Sequence, residues 1–106
     1  MIPAFFGGIP AVKHVYLYPK PIPMNWGATK LTQLCREDMG IDPRLGGVFL
    51  FHNRKKDQMK IFFLDGTGSQ ELLKFLPKGC FLVPVAKSGE KYIKIERTKL
   101  EAVMKC

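Results

Sequence analysis

Residues 47–64 read GVFLFHNRKKDQMKIFFL, two apolar runs separated by five polar residues. The runs, 47–52 and 58–64, are rich in Phe, Ile and Val, which favour strands. The polar segment between them has the length of a hairpin loop. The stretch therefore predicts a β-hairpin whose tip, residues 53–57, carries three consecutive cations: Arg54, Lys55 and Lys56.

The chain before the hairpin predicts an irregular arm, a short strand and a helix. Prolines and paired glycines make residues 1–13 the arm, and the β-branched and aromatic run 14–18 is the strand. Residues 25–39 predict the longest helix, with Asn25 as N-cap and Gly40 at the end. Its apolar positions recur at helical spacing: Ala28, Leu31, Leu34, Cys35 and Met39.

The chain after the hairpin predicts further short strands and a last helix. A turn at 65–68 precedes residues 69–76, a strand or a short helix, of which the bracketing turns favour the strand. Strands at 80–83 and 91–95 follow. A capping box beginning at Thr98 opens a short helix that runs nearly to Cys106. The order β-α-β-β-β-β-β-α predicts one small α+β domain over residues 1–106. We expect an antiparallel β-meander with one longer helix in the N-terminal half and a short C-terminal helix.

The charge is strongly positive, with 17 Lys and Arg against 9 Asp and Glu, a formal net charge of +8. Such a chain attracts polyanions, nucleic acids above all and anionic membranes second, although a charge can also serve solubility alone. No apolar run is long enough to cross a bilayer, and no signal peptide is evident. Three sparse cysteines do not suggest disulfides. We expect a cytoplasmic protein with no membrane partner.

Metal sites and catalytic motifs find no support in the residue spacing. The possible ligands have no paired short spacing: His14, Cys35, His52, Cys80 and Cys106. A Gly-x-Ser-x-Gly elbow is absent, and residues 66–68 lack the rest of a phosphate-binding loop. We therefore predict no catalytic residue, no metal, no cofactor and no small-molecule substrate.

Among enzymes, the class that a basic chain suggests is a metal-dependent nuclease. Asp65, Glu71 and Lys74 loosely match the Asp…Glu-x-Lys pattern of restriction-type nucleases. That pattern needs Glu and Lys two residues apart on a strand, whereas here they are three apart and point to opposite faces. The prediction is a protein that is not an enzyme.

Cations in and around the predicted hairpin make the candidate nucleic-acid surface. We expect Lys60 to share one face of its strand with Gln58, while Met59, Ile61 and Phe63 fill the other. The candidate phosphate contacts are Arg54, Lys55, Lys56, Lys60, Lys74 and Lys78. The alternatives are a merely solvated tip, or an adaptor for an acidic protein partner. No RNA-module motif is present, so the choice between DNA and RNA stays open.

The same residues carry a family resemblance. From position 14 to 84 the chain resembles the TnpB accessory proteins of the insertion-sequence family numbered sixty-six. The matching pieces, in order, are Tyr16-Leu17-Tyr18, Pro21, Met24, Asp42-Pro43-Arg44-Leu45-Gly46, Phe49-Leu50-Phe51, Asn53-Arg54-Lys55-Lys56, Lys60-Ile61, Asp65-Gly66-Thr67-Gly68, Lys74, Leu76, Gly79, Phe81 and Pro84.

This resemblance implies a helper in transposition beside a separate transposase, with no known catalytic residues, while the contact with DNA is expected from the charge. The chain departs from the family pattern at several positions, among them Pro23-Met24-Asn25-Trp26, Leu64, Lys74-Phe75 and Cys80. Most of these departures replace a cation. The resemblance is therefore that of a divergent member.

Overall fold

The computed structural model describes residues 14–64 and 66–95 of the protein. Five strands form one sheet in the order β4-β3-β2-β1-β5. The strands are β1 Val15–Leu17, β2 Val48–His52, β3 Gln58–Leu64, β4 Ser69–Phe75 and β5 Ile93–Ile95. Helix α1 lies between β1 and β2 and comprises Ala28–Gln33 and a π-helical continuation, Leu34–Met39; a short 3-10 helix, Pro43–Leu45, follows it.

The sheet is mixed, and the helix lies in the connection that makes its parallel pair possible. β1 and β2 pair in parallel, with Val15 opposite Val48. Parallel neighbours need a long crossover between them, and the segment containing α1 supplies it. β2, β3 and β4 form the predicted antiparallel meander, and β5 returns antiparallel to β1. The α+β class is confirmed, while the wholly antiparallel sheet is corrected to a mixed one.

Two local predictions differ from the structure. The segment 80–83 is not a strand; Phe81 leaves the sheet and packs on one face of it. The helix begins after Gly27 instead of Asn25, so no side chain caps its first turn. By contrast, residues 69–75 form a strand, as predicted. The N-terminal arm, Asp65 and the C-terminal helix lie outside the described residues.

One face of the sheet is covered by α1, as its apolar spacing predicts. The buried residues on this side are Tyr18, Ile22, Leu31, Leu34, Cys35, Met39, Phe49, Phe51 and Phe62. A hydrogen bond fastens the end of the helix, because the Tyr18 hydroxyl donates to Asp38 Oδ2 at 2.7 Å. Burial and this neighbouring carboxylate raise the pKa of Tyr18 to about 12, so the hydroxyl keeps its proton.

The opposite face is buried by the alternate side chains of the same strands. Its core contains Val15, Leu17, Val48, Leu50, Met59, Ile61, Phe63, Phe81 and Ile95. Met59, Ile61 and Phe63 thus share a face, as predicted. All five residues of β2 are buried, so this strand contributes to both cores.

Gly40 ends the helix in a left-handed conformation. Its φ is +74°, and its N–H donates to the Cys35 carbonyl, which also accepts from the Ile41 N–H at 2.8 Å. The wide π-helical turn and this cap therefore depend on one residue that tolerates positive φ.

We predict that Gly40→Ala lowers the free energy of unfolding by about 1–2 kcal/mol, because an alanine Cβ is strained at positive φ. No atom lies within 4 Å of a Cβ built there, so steric contact adds nothing. Gly40→Asn is the matched control, since Asn tolerates this conformation better. Urea unfolding checks this; equal losses in both variants would contradict it.

Candidate nucleic-acid interface

The hairpin tip, residues 53–57, is held in shape by the side chain of Asn53. Its Oδ1 accepts from the N–H groups of Asp57 at 3.1 Å and Gln58 at 3.0 Å, and its Nδ2 donates to Asp57 Oδ1 at 2.6 Å. The Lys56 N–H donates to the Asn53 carbonyl at 3.1 Å, which closes the turn. Arg54 and Lys55 therefore project, exposed, from a turn with its own internal support.

Lys56 adopts the left-handed conformation at φ +59° and connects the tip to the next turn. Its carbonyl accepts from the Phe81 N–H at 2.6 Å, and the Asp57 carbonyl accepts from the Leu76 N–H at 2.8 Å. The turn at 77–80 is thereby fixed beside the tip. Lys78 on that turn is exposed, so the structure brings it together with Arg54, Lys55 and Lys56.

The strand directions collect still more cations at this end of the sheet. β1, β2 and β4 run towards the tip, whereas β3 and β5 run away from it. One end of the sheet therefore contains the tip together with the segment after β1, the turn after β4 and the segment before β5. We call it the hairpin end. Lys20 follows β1 and Lys91 precedes β5, and both are exposed. Sequence reasoning missed these two, since only the strand order reveals them.

Lys60 does not belong to this exposed group. It is only 9% exposed, and its Nζ donates to the carbonyls of Met24 at 2.6 Å and Trp26 at 3.0 Å. Glu71 Oε1 lies 3.4 Å from the same ammonium. Lys60 does share a face with Gln58, but α1 and its leading segment cover that face. We therefore drop Lys60 as a phosphate contact, because its donors are used within the fold.

Lys74 lies on the other face of the sheet from Lys60. It is opposite Met59 in the β3–β4 pairing and is half-buried. Its position near the end of β4 still brings it close to the hairpin end. The structure thus groups four predicted candidates tightly, leaves Lys74 at the margin and separates Lys60.

An open cleft runs beside the tip on the helix side of the sheet. Its volume is about 500 Å³, and it is lined by the proline-rich segment 21–24 and by Asn53, Arg54, Lys55, Asp57 and Gln58. Two cations stand along its rim, and Asp57 is the acid in its wall. The cleft is open to solvent and offers no enclosed chamber for a small substrate.

At the opposite end of the sheet, the positive charge of Arg44 is neutralised by a salt bridge to Asp42. Arg44 precedes β2, and its Nη2 lies 2.9 Å from Asp42 Oδ2. The guanidinium holds the pKa of Asp42 below its ordinary value by hydrogen bonding. By contrast, no salt bridge joins another described residue to any of the exposed cations at the hairpin end: Lys20, Arg54, Lys55, Lys56, Lys78 and Lys91. Six exposed cations that form no salt bridge with another described residue therefore lie at the hairpin end.

Comparison with known proteins places the chain in a family. The family model described as IS66 Orf2 like protein matches residues 13–106. The chain belongs to this family. It is a family of transposition accessory proteins and not a known enzyme family.

A relative and the solved structures complete the comparison. The chain is 27% identical over 81 residues to the uncharacterized protein y4jC of Sinorhizobium fredii (strain NBRC 101917 / NGR234), covering 76% of this chain and 69% of y4jC. No solved structure matches. The low identity agrees with the expectation of a divergent member of the IS66 Orf2-like family.

Potential metal ligands and nucleophiles in this family member are dispersed. Among residues 14–64 and 66–95 no three His, Cys, Asp or Glu side chains cluster around a common point. Burial raises the pKa of the Cys35 thiol to about 12, so it stays protonated and packs as an apolar group. Within the same ranges no helix is long and apolar enough to span a membrane. The absence of a bound metal stays a prediction.

His52 is a buried titratable group directly beneath the tip. It is 2% exposed, and its Nδ1 lies 3.1 Å from the Asn53 carbonyl, which can only accept a hydrogen bond. Nδ1 therefore carries the proton, and Nε2 has no hydrogen-bond partner among the described residues. Burial lowers the pKa of His52, and the charge of Lys56 lowers it further, against the raising effect of the carbonyls of Asn53 and Pro19.

The His52 environment predicts an acid-sensitive fold. Because the folded pKa lies below the unfolded value of about 6.5, the unfolded state binds more protons between the two. Stability should be constant above about pH 7 and fall as the pH drops below 6.5. Urea unfolding at several pH values measures this. His52→Gln should flatten the profile in this window, and an unchanged profile in this variant would contradict the assignment.

Replacing Lys60 should lower the stability of the fold without weakening DNA binding. Lys60→Met should lower the free energy of unfolding by roughly 1–3 kcal/mol, because the carbonyls of Met24 and Trp26 lose their donor. Lys94→Met is the matched control: Lys94 is also a strand lysine but is exposed, and its change should stay within about 0.5 kcal/mol. Equal stability of the two variants in urea would contradict the assigned role.

Proposed function

We propose that this transposition accessory protein binds nucleic acid through the sugar-phosphate backbone, using the hairpin end of its sheet. Arg54, Lys55, Lys56 and Lys78 make the central contacts in this proposal, with Lys74 at the margin. The protein is not an enzyme, and it assists a separate transposase by holding or presenting DNA. It acts in the cytoplasm without a cofactor.

The observation that carries the proposal is the convergence of unpaired cations on a rigid frame. Long cationic side chains lose less freedom on binding when their backbone is already fixed, and Asn53 and the Phe81–Lys56 hydrogen bond fix it here. Each phosphate neutralised releases a condensed counterion, which drives association at low salt. Contacts of this kind position a protein on DNA without reading its sequence.

A second candidate is an adaptor that binds an acidic protein partner. The exposed apolar side chains of Leu82 and Val85, in the connection after β4, favour some protein contact. The transposase is the partner that the family suggests. An adaptor without direct DNA binding would use the same cations against carboxylates, and a salt titration with DNA separates the two candidates.

Salt dependence tests the DNA contact directly. For the wild-type protein and a labelled duplex, we expect the logarithm of the binding constant to fall with the logarithm of salt with a slope of about −4 to −5 for four to six phosphates. Replacing Arg54, Lys55 and Lys56 together with Ala should reduce the slope by roughly one unit per contact. The loss should be nearly the same for duplexes of unrelated sequence.

A charge-matched variant separates local contact from net charge. Replacing Arg36, Arg44 and Lys94 with Ala removes three exposed cations away from the hairpin end. This variant should keep most of the wild-type slope. Equal slopes in the two triple variants would show that only total charge matters, and no binding of the wild type at low salt would favour the adaptor.

A further inference from the structure

Phe75 is an exposed aromatic side chain beside the basic hairpin end. It is the last residue of β4, an edge strand, and 57% of it is exposed to solvent. Aromatic side chains are over-represented at binding surfaces. Neither core includes Phe75. The ring of Phe75 is therefore available for a contact with a binding partner.

The strand pairing places Phe75 against the wall of the cleft. The Leu76 N–H to Asp57 carbonyl bond makes residues 57 and 76 a hydrogen-bonded pair. The next pair, Gln58 and Phe75, is then of the non-hydrogen-bonded kind, whose Cβ atoms lie about 4.5–5.5 Å apart. Gln58 lines the cleft together with Arg54 and Lys55. Phe75 therefore stands next to a groove with two cations on its rim.

We propose that Phe75 is a stacking platform for an unpaired base, so that the hairpin end binds single-stranded nucleic acid in addition to duplex backbone. This inference rests on the proposed function. The backbone of the strand follows the cleft past Arg54 and Lys55, and Lys78, three residues beyond Phe75, holds a further phosphate. One base turns out of the cleft and lies on the Phe75 ring.

Charge complementarity selects a nucleic-acid strand as the occupant. A basic groove with an aromatic side chain beside it is the combination that single-strand binding proteins use, because every base has a face that can stack. A duplex hides its bases within the helix, so it can use the cations but not the ring. An apolar protein segment could use the ring but would leave the surrounding cations without partners.

Affinity for a single-stranded oligonucleotide tests the contribution of the Phe75 ring separately from that of the cations. With a fluorescent twelve-nucleotide oligo-dT, Phe75→Ala should weaken binding about 5-fold or more, since stacking contributes about 1–3 kcal/mol per base. The salt slope should not change, because no charge is removed. Binding of a twelve-base-pair duplex should change less than twofold. Phe75→Trp should retain oligo-dT binding, whereas Phe75→Leu should lose it as Ala does.

Leu73→Ala is the matched control, because Leu73 lies on the same face of β4 and is 56% exposed. It should change oligo-dT affinity less than twofold. Full oligo-dT affinity in Phe75→Ala, or equal losses in Phe75→Ala and Leu73→Ala, would overturn the stacking proposal. Failure of the backbone proposal looks different: the wild type would then bind neither probe with a salt dependence.

Discussion

The complete burial of β2 is the constraint on which the rest of the structure depends. Its alternating side chains enter both cores: Phe49 and Phe51 on the helix side, Val48 and Leu50 on the other. A strand buried on both faces must also satisfy its backbone on both edges, and here β1 and β3 provide the partners. The position of every other element follows from these two pairings and the need to cover both faces.

Those pairings also decide where the charge accumulates. The parallel β1–β2 pair and the antiparallel β2–β3 pair direct the segment after β1 and the hairpin tip to the same end. The register of β4 and β5 adds Lys78 and Lys91 to it. A wholly antiparallel arrangement would have sent the segment containing Lys20 to the opposite end. The basic surface therefore combines a local cluster at the tip, Arg54-Lys55-Lys56, with Lys20, Lys78 and Lys91, which strand direction brings to the same end.

The elements with a strong local pattern could be predicted from the sequence. The hairpin has apolar runs with a polar tip, and α1 has Leu31, Leu34, Cys35 and Met39 at helical spacing. The end of α1 at Gly40 was also predictable, because positive φ favours glycine. The parallel pair could not be predicted from the order of elements, because a strand, a helix and a strand in succession are compatible with either an antiparallel return or a parallel crossover. The segment 80–83 has strand-like residues but contributes Phe81 to a core without pairing.

The candidate site divides in the same way. The tip cations were predictable because turn residues are exposed almost by necessity. Lys60 was not, since its fate depends on Met24 and Trp26, more than thirty residues earlier in the chain. Here a lysine in an apolar strand serves as an internal hydrogen-bond donor that ties the entry of α1 to β3.

Lys60 and Phe75 together show how the molecule departs from the ordinary distribution of side chains. A cation is buried and an aromatic ring is exposed within the same pair of neighbouring strands. The burial of Lys60 has an internal explanation, because two carbonyls and Glu71 surround its ammonium. The exposure of Phe75 has none among the described residues, since Phe75 belongs to neither core. An exposed ring on an edge strand invites unwanted association, which polar or charged residues usually prevent. Its position beside the cationic tip suits the proposed ligand, because nucleic acid carries both negative charge and aromatic faces.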